Sequence, residues 1–303
     1  MEQYVATKEK YKDCILFYRL GDFYEMFFDD AILASKELEL TLTGKDCGME
    51  ERAPMCGIPF HAADTYINQL VKKGYKVAIG EQVEDPKLAK GLVKREVIRI
   101  VTPGTNLSAE SLEETKNNYL MCISHIGKYF GISVTDLSTG VFKTCQIQTV
   151  EKVVDEINKF QPSEVLYHSG IEQIEDIHTV CERLQVAHTE APDYYFDIDT
   201  DEDTLKRHFH INSLEGLGLK DSLACIASCG GLIQYLHETQ MNSLSHINHI
   251  ETYSVDSYMI LDSSTRRNLE LTETLRDKQK RGSLLWVLDK TKTAMGARKL
   301  REY

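Results

Sequence analysis

Two residues in the run "FYRLGDFYEMFFDDA" (17–31) carry chemistry that their expected position does not call for. Phe23 and Glu25 lie two apart where the pattern predicts a strand-to-helix corner, and corners that face water usually take small or polar side chains. The ring offers a flat apolar face; the carboxylate accepts hydrogen bonds or, when protonated, donates one. On pattern alone Phe23 also fits a core position, and Glu25 fits the first turn of a helix, where the helix dipole favours negative charge. A second chemistry comes from basic side chains. Residues 72–99 hold eight basic and four acidic residues, an excess that could face phosphates or equally form a solvated surface.

Other groups are weaker candidates. The eight cysteines form no CxxC pair, which fits buried thiols in a reducing, cytoplasmic compartment. Cys225 and Cys229 fall at i,i+4 on an expected helix with no flanking histidine, a poor zinc arrangement. His208 with His210, and His246 with His249, read as surface histidines. Asp136 in "SVTDLSTG" is the one acid well placed on the middle strands, whereas a two-metal nuclease needs several. "DIDTDEDT" lacks the EF-hand spacing and closing Glu, so it reads as a solvated loop with a helix cap. The chain contains no GxxxxGK[ST], the loop that cradles nucleotide phosphates.

The elements that must position Phe23 and Glu25 alternate strand and helix, as a mixed α/β domain does. "CILFYRL" reads as a strand. "EMFFDDAILASKEL" places Met26, Phe27, Ala31, Ala34 and Leu38 at helical spacing. "ELTLTG" reads as a strand closed by Gly44, "KDCGMEERAPMCGIPFH" as a loop, and "AADTYINQLVKKG" as an amphipathic helix stopped by Gly74. "YKVAIGEQV" and "EVIRIVT" complete the unit. Gly21 and Gly57 are read as turn residues.

The polar stretch from Asn106 to Asn118 reads as a linker or domain boundary. After it, "YLMCISHIGKYFGISVTDLSTGVFKTCQI" predicts three adjacent strands joined at Gly127 and "STG", followed by helix, strand, helix. That is the order of a ribonuclease H-like sheet. Asp221 is the expected N-cap of "SLACIASCGGLIQYLHETQ", with Leu223, Ile226, Ala227, Leu232, Ile233 and Leu236 as its buried stripe. "SYMILDSSTRRNLELTETL" reads as a strand then a helix, and "SLLWVLDKTKTAMGARKLREY" continues helical. Its uncapped end, with no partner for its amphipathic face, predicts a chain cut short within a third domain. The fold class expected is therefore multidomain α/β, with domains at 1–110, 111–250 and 251–303.

With 303 residues, 42% of them hydrophobic, two or three domains are expected. The apolar runs are far shorter than the roughly 20 residues of a membrane span, and the N-terminus has no apolar signal region. Net charge is −12, distributed as −2 over residues 1–100, −15 over 101–260 and +5 over 261–303, so only the middle is strongly acidic.

"FYRLGDFYEMFFDDA", "LTLTG" (40–44), "GIPFHA" (57–62), "VAIGEQ" (77–82), "VIRIVTPGT" (97–105) and "LDSSTRRNLEL" (261–271) occur in an order that resembles the N-terminal part of the bacterial MutS family. The resemblance implies a mismatch-recognition domain at 1–110, a connector domain that meets partner proteins, and the start of an all-α lever domain. It implies that Phe23 enters the minor groove and stacks on a mispaired base while Glu25 hydrogen-bonds to that base. Arg19, Lys45, His61, Lys94, Arg95 and Arg99 are candidate DNA backbone contacts, with Leu20 and Asp22 flanking the wedge. The family's ATP and Mg²⁺ site, its homodimer contact and its DNA clamp would lie beyond these residues, and the full-length protein would recruit a MutL-type partner. No cofactor, metal or catalysis is expected in the fragment, and the location implied is cytoplasmic and nucleoid-associated. Two rivals are a ribonuclease H-like metal-dependent nuclease and a protein-interaction module of a MutS paralogue.

Overall fold

The computed structural model describes residues 1–303 except 49–50, 85–92, 109–114, 170, 172–173, 256–258, 260 and 303. The chain divides into two compact units, Met1–Ser111 with Leu236–Ser243, and Leu112–Tyr235 with Leu244–Tyr303. Much of the expected 106–118 stretch and most of the strand expected in "SYMIL" (257–261) lie outside the described residues, as does the 85–92 part of the basic stretch.

In the first unit, α1 (Glu2–Lys10) precedes β1 (Cys14–Leu20), β2 (Phe23–Phe27), α2 (Phe28–Glu37), β3 (Thr43–Lys45), β4 (Ala53–Pro59), α3 (Ala63–Lys72), β5 (Lys76–Gln82) and β6 (Arg95–Val101). The six strands form one mixed sheet in the order β3-β4-β2-β1-β5-β6, with β1 parallel to β5 and every other pair antiparallel. Alternating residues fill two faces. Ile15, Phe17, Tyr24, Met26, Cys56, Ile58 and Val77 form one core cluster with Ala31 and Ala34 of α2 and Ile67 and Leu70 of α3. On the other face Cys14, Leu16, Tyr18, Phe27 and Ala78 cluster around Tyr4 of α1.

Several expectations need correction here. Phe23–Phe27 is a strand, not a corner, because it pairs with β1 on one side and β4 on the other; the helix starts only at Phe28, whose φ is +53°. The loop expected at 45–61 contains β4, whose burial alternates in the same way across Cys56 and Ile58. The strand expected over 39–44 is shorter and shifted, with Gly44 in its middle. Asn106 is buried rather than part of a linker, since its amide donates to Asn68 Oδ1 of α3 at 2.9 Å.

The second unit runs β7 (Tyr119–Ile126), β8 (Tyr129–Asp136), β9 (Val141–Ile147), α4 (Val150–Phe160), β10 (Glu164–His168), α5 (Ile174–Leu184), β11 (Ala187–Ala191), α6 (Ile198–Phe209), α7 (Leu223–Gln240, whose residues from Leu236 onward belong to the first unit), β12 (Glu251–Thr252), α8 (Ser263–Asn268), α9 (Leu284–Leu288) and α10 (Ala294–Glu302). Its sheet has the order β11-β10-β7-β8-β9-β12. β7, β8 and β9 are antiparallel neighbours, and β7, β10 and β11 run parallel. Gly127 and Gly140, at φ +63° and +74°, make the expected turns. Met121, Ile123, Ile132, Val134 and Val165 face Val153 and Ile157 of α4 and Ile177 of α5. The opposite face is built of small residues against α7: Ser124 Oγ donates to Ala224 O at 2.7 Å, and the hydroxyls of Ser133 and Ser228 are 2.7 Å apart.

Here too the structure departs from expectation. The helix begins at Leu223, so Ser222 rather than Asp221 precedes it, with Ile226 N–H donating to Ser222 O; Leu223 is exposed while the rest of the stripe is buried. "DIDTDEDT" is the start of α6, capped by Asp197, whose carboxylate accepts from Thr200 N–H at 2.9 Å. β11 went unread in "AHTEA". His208 is half-buried, its Nε2 2.8 Å from Ile247 O, not a bare surface histidine. The continuous helix expected at the end is broken between α9 and α10. Seven of the eight free cysteines are buried, and Cys47 is half-buried.

Candidate nucleic-acid interface

β1 and β2 are joined by a two-residue turn, Gly21–Asp22, between the paired residues Leu20 and Phe23. Gly21 has φ +61°, which a glycine adopts without a Cβ clash and which suits the right-handed twist of a tight hairpin. Phe23 is therefore the first residue of β2, beside the turn. It is 48% exposed, while its neighbour Tyr24 is buried on the other face. Glu25 follows on Phe23's face, roughly 6–7 Å along the strand. At the far end of β2, Phe27 is covered by the Tyr4 ring of α1, 4.9 Å away edge-on.

That cover is fixed by Asp30. Its buried carboxylate accepts from Leu16 N–H at 3.0 Å, from the Tyr4 hydroxyl at 3.2 Å and from Lys8 at 2.9 Å. Hydrogen bonds to a charged acceptor contribute about 1.5–3 kcal/mol each. The result is a strand held firmly at one end and presenting an open ring at the other.

Glu25 is paired. Its Oε2 accepts from Lys45 Nζ at 2.5 Å, and the ammonium also lies 5.5 Å from the centre of the Phe27 ring. Lys45 reaches it from β3 across β4, where Gly57 is the register partner of Glu25. Gly57 is thus a strand residue and not the turn residue expected. A Cβ there would lie 3.3 Å from Tyr24 O and 3.6 Å from Glu25 Cγ, so its task is to leave room.

The remaining candidates are distributed unevenly. Arg19 lies 3.8 Å over the exposed Phe60 ring, donates to Gly21 O at 2.5 Å and sits 3.5 Å from Glu81, so it braces the hairpin. Phe60, whose N–H donates to Asp22 O at 3.0 Å, was not singled out from the sequence. Glu81 also accepts from the Tyr24 hydroxyl, and burial followed by this carboxylate raises the Tyr24 phenol above its ordinary value. Arg95 donates to Arg19 O at 2.7 Å and lies over Tyr18. Lys94, exposed, pairs with Glu96 at 2.5 Å, a contact that raises its ammonium. Leu20 is half-buried; Asp22 and His61 are exposed. Arg99 pairs with Ile79, a member of the α2–α3 side of the sheet, donates to Thr105 O at 3.3 Å, and is lowered by burial. The sheet thus brings Phe23, Glu25, Lys45 and Arg95 to one face and sends Arg99 to the other.

Asp136, the one acid suited to a nuclease, is fully buried and spent on a turn. Its carboxylate accepts from Ser138 N–H at 2.8 Å, Ser138 Oγ at 2.6 Å and Asn118 N–H at 3.2 Å. Among the described residues no group of three His, Cys, Asp or Glu could hold a metal ion, and no helix is long and apolar enough to cross a membrane.

Residues 1–110 match the family model described as MutS domain I, residues 118–248 that of MutS domain II, and residues 264–303 that of MutS domain III. The chain is 61% identical over its whole length to the DNA mismatch repair protein MutS of Lachnoclostridium phytofermentans, covering 33% of that protein. It is 53% identical to the protein of the same name from Acetivibrio thermocellus and 51% to that of Ruminiclostridium cellulolyticum, covering 35% of each. The chain spans about a third of the length of these curated relatives.

Proposed function

As this chain belongs to the MutS family, we propose that it carries the part of a DNA mismatch repair protein that senses mispaired or unpaired bases, with Phe23 as wedge and Glu25 as hydrogen-bonding probe. The observation that carries this reading is the 48% exposure of Phe23 beside a glycine turn, on the same face as Glu25. A mispaired base has already lost pairing and stacking energy, so kinking the duplex there is cheaper than at a matched step by a few kcal/mol. An apolar ring inserted from the minor groove converts that difference into selectivity. Because stacking accepts any base at about 1–3 kcal/mol, one ring serves many mismatches. Glu25 then accepts a base N–H, or donates when protonated. Lys94 and His61 are exposed enough to meet phosphates, which position the duplex without reading sequence.

We assign the second sheet to a ribonuclease H-like connector that meets partner proteins. Its support is the strand order, three antiparallel strands flanked by two parallel ones. The nuclease reading is set aside because Asp136, the one acid suited to it, is fully buried and already accepts three hydrogen bonds. Residues 251–303 are assigned to the start of a helical lever domain. No GxxxxGK[ST] occurs in the chain, so ATP and Mg²⁺ binding is assigned to the rest of the full-length protein; dimer formation is assigned there too, and recruitment of a MutL-type partner to the cytoplasmic full-length protein as a whole.

The test is the affinity of the full-length protein for a duplex with a single unpaired T and for its matched control. The unmodified protein prefers the unpaired T, and Phe23→Ala lowers that affinity by about 5- to 100-fold, the equivalent of one lost stack, with little change on the control. Full discrimination by Phe23→Ala contradicts the assignment.

A further inference from the structure

A carboxylate is an odd choice for a surface that approaches a polyanion carrying about one charge per 1.7 Å. The structure supplies its counter-charge within the same sheet. Lys45 Nζ lies 2.5 Å from Glu25 Oε2 and within 5.5 Å of the Phe27 ring centre, so the ammonium has two partners that fix its place. The lysine side chain is 40% exposed and the glutamate side chain 16%, which makes the cation the outer member of the pair. Lys45 is opposite Ala53 of β4 and Glu25 is opposite Gly57, so the lysine reaches the carboxylate diagonally across β4. A Cβ on Gly57 would lie 3.6 Å from Glu25 Cγ, so the glycine leaves room for the glutamate side chain.

We propose that Lys45 is a positioning residue for mismatch recognition: it holds the Glu25 carboxylate in place and cancels its charge toward the DNA backbone, rather than serving as a phosphate contact. The inference rests on the reading of Phe23 and Glu25 as the mismatch-sensing pair. Without Lys45 the carboxylate loses the hydrogen bond that orients it and meets the duplex with its full charge. The loss falls on the complex in which Glu25 touches a base, so mismatched DNA suffers more than matched DNA.

The experiment is a double-mutant cycle in the full-length protein, using a duplex with a single G·T mismatch and its matched counterpart at several salt concentrations. Lys45→Met lowers the ratio of mismatched to matched affinity by about fivefold. The same change in a Glu25→Gln background leaves the ratio where Glu25→Gln alone puts it, and Lys45→Arg restores it. If Lys45→Met instead weakens both duplexes equally in both backgrounds and reduces the magnitude of the salt slope by about one, Lys45 is a phosphate contact and the inference fails while the site stands. If the unmodified protein shows no preference for G·T, or Phe23→Ala keeps it in full, the reading of the site fails and the inference falls with it.

Discussion

Phe23 and Tyr24 are adjacent aromatics with opposite surroundings, and strand alternation accounts for the difference. Tyr24 is buried against α2 and α3 and its hydroxyl is held by Glu81; Phe23 is left outside at the turn. Stacking requires a flat face and not a specific ring, so Phe23→Trp is expected to keep preference for an unpaired T, while Phe23→Leu loses most of it, as measured by competition binding. Gly57 sits at the same scale. A methyl there meets Tyr24 O at 3.3 Å, so Gly57→Ala should cost about 1 kcal/mol in urea unfolding and displace Glu25, lowering G·T preference.

The hairpin and the sheet turn these residues into a surface. β1 and β2 hold Phe23 through backbone pairing at Leu20 and through the brace of Arg19 between Phe60 and Glu81. In the second unit β8 and α7 meet so closely that a Cβ at Gly131 would lie 2.0 Å from Ala224 O. Backbone cannot yield there, so Gly131→Ala is expected to destabilise this unit by about 3 kcal/mol or more, seen as a lower thermal midpoint. Much of this framework was legible: β1, α3, β5, β6, the β7–β9 meander, α4 and α5 carry clean periodicity or glycine stops. β4 was hidden because Pro, Cys and Gly in "APMCGIP" resemble loop composition, although Cys56 and Ile58 alternate. β2 resembles a helix start because Met26 and Phe27 fit both periods, and only sheet pairing decides between them. Phe23 and Glu25 were legible as a pair, but their shared face, the Lys45 contact and the loss of Arg99 to the opposite face depend on register, which one sequence does not give.

Over the whole chain, charge and pH act on stability and binding together. The strongly acidic residues 101–260 oppose DNA approach, so salt, which screens that repulsion, should weaken binding by the full-length protein less steeply than its phosphate contacts alone would. Asp201 of α6 is fully buried, neither of its oxygens has a hydrogen-bond partner, and it lies where a Cβ on Gly230 would be. Burial, reinforced by Asp197, pushes its carboxyl up to about 8, against about 4 in an unfolded chain. The folded state therefore keeps a proton that the unfolded state releases. The stability tied to that proton is complete below about pH 4 and is lost as pH rises toward 8. The thiols of Cys122 and Cys229, which burial also raises and which Asp201 influences, remain protonated across this window. Asp201→Ala should gain on the order of 4 kcal/mol on the unmodified protein between pH 4 and pH 8, read from urea unfolding at the two values.

The central claim is that the Phe23 ring lies against the mispaired base. Replacing the thymine of a G·T mismatch by 5-iodouracil and irradiating the complex tests it directly, because the photochemical bond forms to an aromatic ring stacked on the base. The account predicts one crosslinked peptide containing Phe23, absent with Phe23→Ala and with the iodouracil moved to a matched pair. A crosslink at another residue, unchanged in Phe23→Ala, would contradict it.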